Sequence, residues 1–430
     1  MTTVNLNQGQ AAFADAFFSF LFTPEPEMIL SGGGGVGKTF MINYAINEIL
    51  PRYFESCRLM GIPPEYDSMD LTATTNKATD VLSVATGLPA LTTHSFFGLR
   101  VKEDYKTGVT TLTPTNAWRV HERKVIIVDE ASMTDSQLRG YIHKGTHKSK
   151  ILYVGDHCQM NPVMEKISPV FSSGAPIHIL TEPVRNAEQP ALMAVCNQLR
   201  QTVETGVFNP IRIVPGVIDL LDNNGMAHWL EQEFIHQTTS SRILAYTNRR
   251  VIELNDHIRW MRQLPDQLTP GEILVNNNSM EFKDKRMSVE SEYTVYDVSP
   301  ITEDVQVENG VYLTVRPIKL TDCYGDILHV RVPEDKEHFL ALIAHYGKAK
   351  NFERMYWLKK TFPDLRPRDA ATVYKAQGST YNSVFIDLEN ISSCRQPDQV
   401  ARMLYVAFSR PRNRIFLYGD LASKYGGLIY

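Results

Sequence analysis

The most chemically distinctive stretch of the chain is a glycine-rich run that ends in a lysine and a threonine. It reads Gly32-Gly33-Gly34-Gly35-Val36-Gly37-Lys38-Thr39, a full match to the pattern G-x-x-x-x-G-K-T. Glycines let the backbone N–H groups of such a loop turn inward around phosphate oxygens, which side chains would obstruct. The sequence therefore predicts that this loop binds ATP, that Lys38 contacts the β- and γ-phosphates, and that Thr39 is a ligand of Mg²⁺.

Two adjacent carboxylates form a second set of candidate catalytic groups. Asp129 and Glu130 directly follow an apolar run that begins at Lys124. An apolar strand with acids only at its carboxyl end is typical of a parallel sheet, because such sheets bind ligands at that end. We therefore predict that Asp129 holds Mg²⁺ and that Glu130 orients or deprotonates the attacking water. The alternative, two acids that merely start a helix, does not account for the phosphate loop upstream.

Isolated polar residues near other strand ends are further candidates for the same site. Gln159 follows the apolar run from Ile151 and is suited to sensing the γ-phosphate or holding the water. Gln10 precedes the first strand, and an amide offers both a donor and an acceptor to the edge of adenine, although a surface glutamine is the default. Arg185 follows another short strand, where a surface arginine or a salt bridge is the ordinary interpretation.

The elements that must position these groups alternate between strand and helix in two series. The first runs from the strand before the phosphate loop to the strand at Ile151, and the second begins near Ser241. The second series ends with a helix from Val400 to Ser409 and a strand from Arg414 to Tyr418. This alternation predicts an α/β fold with parallel sheets.

Other segments interrupt the two series. Residues 101–114 predict an inserted β-hairpin, and the alternating apolar and polar residues of 271–333 predict a small antiparallel barrel or sheet. Two helical stretches follow at 337–345 and 352–362. The proline-containing segment 51–70 is expected to be an exposed connection.

Composition limits the classes of protein to consider. The 430 residues exceed one ordinary core, so two or more domains are expected. A net charge of −4 argues against a protein that passively coats DNA. It does not exclude a protein that binds nucleic acid in a local basic groove. The five cysteines form no C-x-x-C pair, which fits a reducing compartment. No basic residue precedes the apolar stretch 13–22, so we interpret it as an amphipathic helix of a cytosolic protein.

Polar and basic residues at strand ends are candidate contacts for a nucleic-acid backbone, because they bind phosphates without reading sequence. The simpler alternative for such residues is helix capping. An adjacent histidine and two aromatics are candidates for base stacking or for support of the hairpin, with a core edge as the alternative. The candidates are Thr74, Thr75, Asn76, Lys77, Thr247, Asn248, Arg249, Thr372 and Lys375 for phosphates, and His94, Phe96 and Phe97 for stacking.

In this order, the blocks resemble the superfamily 1 helicases of the 5′ to 3′ subgroup (superfamily 1B), most closely the group of the phage Dda helicase and RecD. The resemblance implies that Gln10 reads adenine and that Arg185 and Arg410 reach the γ-phosphate. It also implies that Gly155-Asp156 with Gln159 couple the site to DNA. By the same resemblance, residues 74–77, 93–95 and Trp357 face single-stranded DNA, with a core tryptophan as the alternative for Trp357. The segment Thr372 with Lys375-Ala376-Gln377-Gly378 would link DNA to nucleotide.

The resemblance further implies a domain plan. Two RecA-like P-loop NTPase domains would comprise residues 1–92 with 119–185 (1A) and 186–270 with 365–430 (2A). The hairpin region 93–118 (1B) would be a strand-separating pin, and 271–364 (2B) an SH3-like insertion.

The function that follows is an ATP-dependent DNA helicase, a single-stranded-DNA-stimulated ATPase, in phage or bacterial replication or recombination. Its expected partners are single-stranded DNA, forked duplex DNA, and replication or recombination proteins. We expect a monomer in the bacterial host cytoplasm with no membrane association. Two alternatives are an RNA-translocating helicase and a nucleotide-binding scaffold that separates no strands.

Overall fold

The computed structural model describes residues 5–107, 109–162, 165, 167–182, 189–236, 240–278, 280–282, 285–287, 289–322 and 324–430. These residues form two compact units. The first unit draws its described residues from 1–100, 114–221 and 376–430, and the second from 101–113 and 222–375. The domain bounds expected from the sequence stay a prediction.

The α-helices of the described chain are α1 (Gln8–Phe20), α2 (Lys38–Tyr44), α3 (Leu50–Met60), α4 (Asn76–Thr86), α5 (Thr93–Phe96), α6 (Ser136–Lys144), α7 (Pro190–Thr205), α8 (Asn223–Leu230), α9 (Asn248–Met261), α10 (Lys336–Lys348), α11 (Phe352–Thr361), α12 (Leu388–Ser392) and α13 (Pro397–Phe408). A π-helical turn, Ala45–Ile49, joins α2 to α3.

The strands are β1 (Glu27–Gly32), β2 (Ser68–Ala73), β3 (Ala90–Thr92), β4 (Leu99–Glu103), β5 (Thr110–Pro114), β6 (His121–Glu122), β7 (Lys124–Asp129), β8 (Thr146–His147), β9 (Lys150–Gly155), β10 (Ile177–Leu180), β11 (Ile211–Arg212), β12 (Ile218–Leu221), β13 (Arg242–Ala245), β14 (Ile273–Asn276), β15 (Met280–Phe282), β16 (Lys285–Met287), β17 (Glu292–Val298), β18 (Glu303–Glu308), β19 (Val311–Thr321), β20 (Ile327–Pro333), β21 (Leu365–Pro367), β22 (Ala370–Thr372), β23 (Tyr381–Asp387), β24 (Pro411–Tyr418) and β25 (Leu428–Ile429).

The main sheet of the first unit is parallel, in the order β10-β1-β9-β7-β2-β3. Every residue of β1 and β9 is buried, as expected for strands covered on both faces. The register sets Ser31 beside Gly155 and Ala73 beside Asp129. The phosphate loop and both carboxylates therefore leave the sheet at its carboxyl edge, and the predicted α/β sheet is confirmed.

Helices cover this sheet with aromatic and aliphatic side chains. Phe13 and Phe17 of α1 are fully buried, with ring centroids 5.6 Å apart, and they belong to the same apolar core as Leu30 and Ile127 of the sheet. Burial of such large side chains stabilises the packing by about 1.5–3 kcal/mol each. The sheet is thereby a rigid base for the loops at its edge.

Two further groups of parallel strands follow in the chain. In the first unit, β24 pairs with both β12 and β23. In the second unit, β13 pairs with β22. Strand β24 begins at Pro411, so Arg410 lies at its start, directly after α13.

The second unit contains the predicted antiparallel segment. Its strands lie in the order β18-β19-β17-β14-β21, and β20 also pairs with β19. Leu320 and Val330 lie in its core, while Phe339 of α10 and Phe362 after α11 pack in a neighbouring apolar cluster. The predicted antiparallel region and the two following helices are therefore confirmed.

The inserted hairpin predicted for 101–114 is present as β4 and β5. Within the second unit, Nζ of Lys360 in α11 forms an ion pair with Oε2 of Glu103 in the hairpin, at 2.6 Å. The ring of Tyr105 lies 5.8 Å from that of Tyr356. These contacts, and the Lys360 ammonium 5.8 Å from the Tyr105 ring, hold the hairpin against α11.

One expected connection is a helix instead. Residues 51–60, predicted as an exposed link, belong to α3, and Pro51 occupies its first turn, where a proline costs no hydrogen bond. In the described part of the chain, no helix combines the length and hydropathy needed to cross a membrane.

Candidate functional site

The phosphate loop leaves β1 through a glycine that no other residue can replace without displacement. A Cβ on Gly32 would lie 2.7 Å from Cγ2 of Val36 and 2.9 Å from the carbonyl oxygen of Leu180. The loop then turns through Gly35 and Gly37, whose φ angles of 83° and 90° favour glycine. The sequence pattern therefore corresponds to a tightly curved backbone at the sheet edge.

Lys38 points into the curve of this loop. Its Nζ donates to the carbonyl oxygens of Gly32, at 2.7 Å, and Gly33, at 2.9 Å. Because α2 begins at Lys38, the positive end of a continuous helical segment faces the same space. Thr39, in the first turn of α2, is half-buried. The cation, the curved backbone and the helix start together form a cradle suited to a triphosphate.

Asp129 and Glu130 stand at the end of β7. Asp129 Oδ1 accepts a 2.9 Å hydrogen bond from the Glu130 N–H. Burial, and next the charge of Glu130, raise the pKa of Asp129 to about 7, while Lys38 acts in the opposite direction. A carboxylate whose ionised form is disfavoured by burial gains from a cation, so Asp129 and the Thr39 hydroxyl, both oxygen donors, fit Mg²⁺.

Glu130 has an unusual backbone conformation. Its φ of 52° lies in the left-handed region, which glycine favours. The conformation is held by Thr74, whose Oγ1 donates a 3.0 Å hydrogen bond to the Glu130 carbonyl oxygen. The Glu130 carboxylate lies near Gly378, where a Cβ would be 3.6 Å from Oε1 of Glu130. The preceding residue, Gln377, donates from Nε2 to Ser132 Oγ at 2.9 Å. The structure thus brings Gly378 to the predicted water-activating carboxylate.

Gln159 lies behind β9 and is buried. Its Nε2 is 3.4 Å from Oδ2 of Asp156, and its backbone carbonyl accepts a 2.8 Å hydrogen bond from Arg402. Its Oε1 is buried without a hydrogen-bond partner among the described residues. A buried acceptor without a partner carries a free-energy cost, so Gln159 retains an acceptor for a ligand or water.

Arg410 lies beside the phosphate loop within the first unit. Its Nη2 and the carbonyl oxygen of Ser409 would be 4.0 Å and 3.7 Å from a Cβ on Gly34. Its guanidinium donates to the carbonyl oxygens of Val406, at 3.0 Å, and Ser379, at 3.2 Å. These bonds hold the cation against the loop. Arg185, the other predicted arginine, lies outside the described residues.

Gln10 belongs to the start of α1 rather than preceding the helix. Its Oε1 accepts a 3.2 Å hydrogen bond from the Asn7 N–H, and Asn7 Oδ1 accepts from the Gln10 N–H at 2.8 Å. This capping box already uses the amide oxygen of Gln10. Its role in reading adenine stays a prediction that depends on the amide nitrogen.

The first-unit candidates for DNA contact lie at the start of α4. Thr75 caps this helix by accepting from the Ala78 N–H at 3.2 Å, so the capping alternative is present as well. Asn76 opens the helix, and the Lys77 ammonium lies 5.9 Å from the ring of Tyr381. Thr75 is exposed and Lys77 is half-buried. A contact with phosphate stays a prediction for these residues.

The predicted base stacking by Phe96 and Phe97 is wrong. Phe97 is fully buried, and Phe96, 7% exposed, stacks on His121 with ring centroids 3.9 Å apart. Their faces are occupied by other side chains, including Trp118 against Phe97. Their burial agrees with the alternative of a core edge. His94 is half-buried, and its contact with DNA stays a prediction.

Candidates in the second unit already have protein partners. Thr247 caps α9 by accepting from the Arg250 N–H at 3.3 Å, and Asn248 accepts from Arg366 at 3.0 Å. Arg249, 91% exposed, pairs with Glu253 at 3.1 Å. Exposed ion pairs of this kind are weak, so Arg249 can exchange its partner for a phosphate.

Three further candidates complete the second unit. Thr372 is buried at the end of β22, and its Oγ1 accepts from the Lys375 N–H at 3.4 Å. The Lys375 ammonium pairs with Glu290 at 2.8 Å. Trp357 is half-buried and packs edge-on against Phe362 at 6.0 Å, which favours the core alternative for this tryptophan.

Sequence reasoning missed two residues behind the phosphate loop, Arg200 of α7 and Tyr405 of α13. Both hydrogen-bond to the fully buried Asp156, at 3.0 Å and 2.6 Å. Burial, and next the Asp156 charge, raise the pKa of Tyr405 far above its usual value, so its hydroxyl stays a donor. Neither residue stands in a distinctive pattern, because each lies within an ordinary amphipathic or apolar helix.

Comparisons with known proteins agree with this arrangement. Residues 20–165 match the model of an AAA domain, and residues 369–418 match that of a UvrD-like helicase C-terminal domain. The first segment contains the phosphate loop, Asp129, Glu130 and Gln159, and the second contains Gly378 and Arg410.

Solved structures of Pif1 helicases share the fold. The enzyme from Candida albicans matches with a TM-score of 0.50 and 16% identity, over 99% of this chain and 97% of that one. The Bacteroides enzyme, in complex with ADP-AlF3 and single-stranded DNA, matches with 0.53 and 15%, over 99% and 95%. A Pif1 structure with forked duplex DNA matches with 0.52 and 15%, over 99% and 94%. The predicted α/β fold with RecA-like P-loop domains is confirmed.

Proposed function

We propose that this chain is an ATP-dependent DNA helicase that translocates along single-stranded DNA from 5′ to 3′. The observation that carries this proposal is a pair of close approaches within the first unit. The phosphate loop lies against Arg410, and the carboxylate of Glu130 lies against Gly378. A loop that only binds a nucleotide, without hydrolysing it, does not need an arginine from a distant part of the chain beside it.

The residues of the site divide the work of ATP hydrolysis. Lys38 binds the β- and γ-phosphates, and Glu130, with Gln159, orients the attacking water and receives its proton. Arg410 stabilises the charge on the transferred phosphoryl group, a role in which arginine contributes about 10³ to 10⁵ in rate. Mg²⁺, held by Thr39 and Asp129, would neutralise charge on the β- and γ-phosphates. Arg185 is proposed as a second arginine on the γ-phosphate.

A DNA strand is the proposed track. The related Pif1 structures with single-stranded and forked DNA support this choice. The exposed or half-exposed polar residues at helix starts, Thr75, Lys77 and Arg249, suit backbone phosphates and not particular bases. Binding of this type lets a protein move along any sequence.

Hydrolysis would be converted to movement by the segment that ends at Gly378. This glycine contacts Glu130, and it follows Lys375 and Thr372 in the chain by a few positions. A change at the γ-phosphate therefore alters the position of a segment that carries proposed DNA contacts. We include in this proposal the two RecA-like domains, the hairpin as a strand-separating pin, and the closer relationship to the Dda and RecD group.

The decisive experiment is an ATPase assay with and without single-stranded DNA. The wild-type protein should hydrolyse ATP faster when DNA is present. Lys38→Ala and Glu130→Gln should abolish this activity, and Arg410→Ala should lower kcat by about 10³-fold or more. The control is Arg412→Ala, which removes an exposed arginine two positions away. Near-normal turnover by a folded Lys38→Ala protein would overturn the assignment.

Partial duplexes with a 5′ or a 3′ tail test the direction of movement. Unwinding of the 5′-tailed substrate supports the proposal, and unwinding of only the 3′-tailed substrate reverses the polarity. Stimulation by poly-ribo and not by poly-deoxy strands would make RNA the track. If the protein binds ATP but hydrolyses none under any of these conditions, it is a nucleotide-binding scaffold. The proposed setting is phage or bacterial replication or recombination in the host cytoplasm, with the chain as a monomer.

A further inference from the structure

A buried polar cluster lies directly behind the phosphate loop, and the ATPase roles described above do not use it. Its centre is Asp156, which is fully buried at the end of β9. Arg200 Nη1 donates to Oδ1 of Asp156 at 3.0 Å, and the Tyr405 hydroxyl donates to Oδ2 at 2.6 Å. Arg200 Nη1 also lies 3.4 Å from the Tyr405 oxygen. We call these three residues the clasp.

The clasp touches the loop itself. A Cβ on Gly33 would lie 3.0 Å from the Tyr405 oxygen and 3.4 Å from Arg200 Nη1. A Cβ on the next loop residue, Gly34, would lie close to Ser409 and Arg410. These two residues follow Tyr405 in the chain by four and five positions. The end of α13 therefore runs along two consecutive residues of the loop, with Tyr405 at one and Arg410 at the other.

The same carboxylate also organises the segment that carries Gln159. Asp156 Oδ1 accepts from the Cys158 N–H at 3.1 Å, and Oδ2 lies 3.4 Å from Gln159 Nε2. One buried acid thus connects the proposed water-holding amide, the phosphate loop and the helix that presents Arg410.

A purely structural ion pair does not account for all of this. Arg200 Nη2 and Gln159 Oε1 are both buried without a hydrogen-bond partner among the described residues. Native structures rarely leave such atoms unsatisfied without a functional reason. A cation site is not the explanation, although Asp156, His157 and Cys158 bring ligand atoms within 4.8 Å of one another. Arg200 already supplies the positive charge, with Asp156 at 3.0 Å and Glu204 at 3.3 Å.

We propose that the clasp sets the position of Arg410 and Gln159 relative to the phosphate loop, so that Arg200 and Tyr405 are positioning residues for ATP hydrolysis. This inference rests on the proposed ATPase function and extends it. The clasp fixes the spacing between the loop and the end of α13, and small displacements of catalytic groups have large effects on rate. ATP binding, which depends on Lys38 and the loop backbone, needs this spacing less than turnover does.

Tyr405→Phe is the sharpest test, because it removes one hydroxyl and keeps the ring. We expect kcat for DNA-stimulated ATP hydrolysis to fall about tenfold or more, and KM for ATP to change less than threefold. The matched control is Tyr425→Phe, which removes the hydroxyl of another buried tyrosine of the first unit that donates to the Cys394 carbonyl at 2.8 Å. The control should lower the melting temperature comparably and leave kcat unchanged.

A double mutant distinguishes positioning from a separate contribution. If Tyr405 acts through Arg410, Tyr405→Phe combined with Arg410→Ala should be no slower than Arg410→Ala alone, within about threefold. Arg200→Lys should retain more activity than Arg200→Gln, since it keeps a charge for Asp156. Full multiplication of the two losses in the double mutant would refute action through Arg410.

The outcomes separate this inference from the proposed function. A wild-type protein that hydrolyses no ATP with any nucleic acid overturns the proposed function and the clasp with it. An active wild type with unchanged kcat in folded Tyr405→Phe and Arg200→Gln overturns the clasp alone. If Tyr405→Phe lowers the melting temperature without changing kcat, its role is structural and the inference is wrong.

Discussion

At the scale of single residues, Glu130 stands out because its backbone is strained where its side chain is needed. A non-glycine residue with φ of 52° costs of order 1 kcal/mol or more, and such residues concentrate at functional sites. The hydrogen bond from Thr74 and the one to Asp129 hold the conformation. The strain turns the carboxylate away from the strand direction and toward Gly378.

The buried His121 makes stability depend on pH. Its ring stacks on Phe96, and its Nε2 lies 3.1 Å from the Phe96 carbonyl oxygen. Burial lowers the pKa of His121 below its ordinary value, against the opposing effect of the hydrogen bond, and Arg119 and Lys124 lower it further against Asp70. The folded chain therefore binds fewer protons than the unfolded chain just below about pH 6.5.

We predict that His121 makes the free energy of unfolding of the first unit fall as pH decreases from about 6.5 until its folded pKa is reached, while the raised pKa of Asp129 acts in the opposite direction over the same range. One histidine contributes at most about 1.4 kcal/mol per pH unit. His121→Gln should remove this contribution, so that in melts between pH 5 and 7 the slope of its unfolding free energy against pH is less positive than that of the wild type; His147→Gln, at an exposed position, is the control. An unchanged slope in the His121 variant would contradict the prediction.

At the scale of elements, the hairpin β4–β5 is held from one side. Lys360 of α11 pairs with Glu103 at 2.6 Å and lies 5.8 Å from the ring of Tyr105. Glu103 is 18% exposed and Lys360 48%, so the ion pair contributes at most about 1 kcal/mol. Glu103 and Tyr105 of the hairpin are therefore held against α11 by contacts that are individually weak.

We predict that Tyr105→Ala with Lys360→Ala lowers the rate of strand separation several-fold, because a pin that moves cannot hold the junction open. Single-stranded-DNA-stimulated ATP hydrolysis should stay within about twofold, since neither residue belongs to the nucleotide site. Lys348→Ala, at an exposed position of α10, is the control. Equal losses of unwinding and hydrolysis would show that the contact serves something other than strand separation.

The sequence predicts elements well where burial leaves a simple pattern. The strands that end at Gly32 and Asp129 are recognisable because both faces are buried, and in the second strand the acid appears only at the end. Pro51 was misjudged because a proline marks a break or a helix start, and only the packing of α3 decides which. Phe96 and Phe97 were misjudged because an aromatic pair has the same sequence whether it stacks on a base or on His121.

At the scale of the whole molecule, the chain is acidic yet is proposed to bind a polyanion. The net charge of −4 means that affinity must come from local cations such as Lys77 and Arg249. Those cations displace counterions from the strand, which makes the affinity depend on salt.

We predict that affinity for single-stranded DNA falls linearly with salt on logarithmic axes, as fluorescence anisotropy would measure. Arg249→Ala should reduce the slope by about 0.7, the value for one phosphate contact on a single strand. Arg58, paired with Glu55 on α3, is a matched exposed arginine whose loss should change nothing. A slope independent of Arg249 would remove this residue from the DNA surface.

The candidate site shows the same limit of sequence reasoning at this scale. The phosphate loop and Asp129 with Glu130 are local patterns, so the residues alone identify them. Arg200 and Tyr405 meet Asp156 only after distant segments fold together, and nothing in their helices marks them. Groups defined by tertiary contact need the structure.

The order of these segments along the chain has a consequence for synthesis. The phosphate loop is synthesised well before Arg410, which lies against Gly34. A nascent chain still on the ribosome can fold its first parallel sheet and retain a nucleotide long before it can split one. In the proposed ATPase, hydrolysis would therefore wait until translation has passed Arg410.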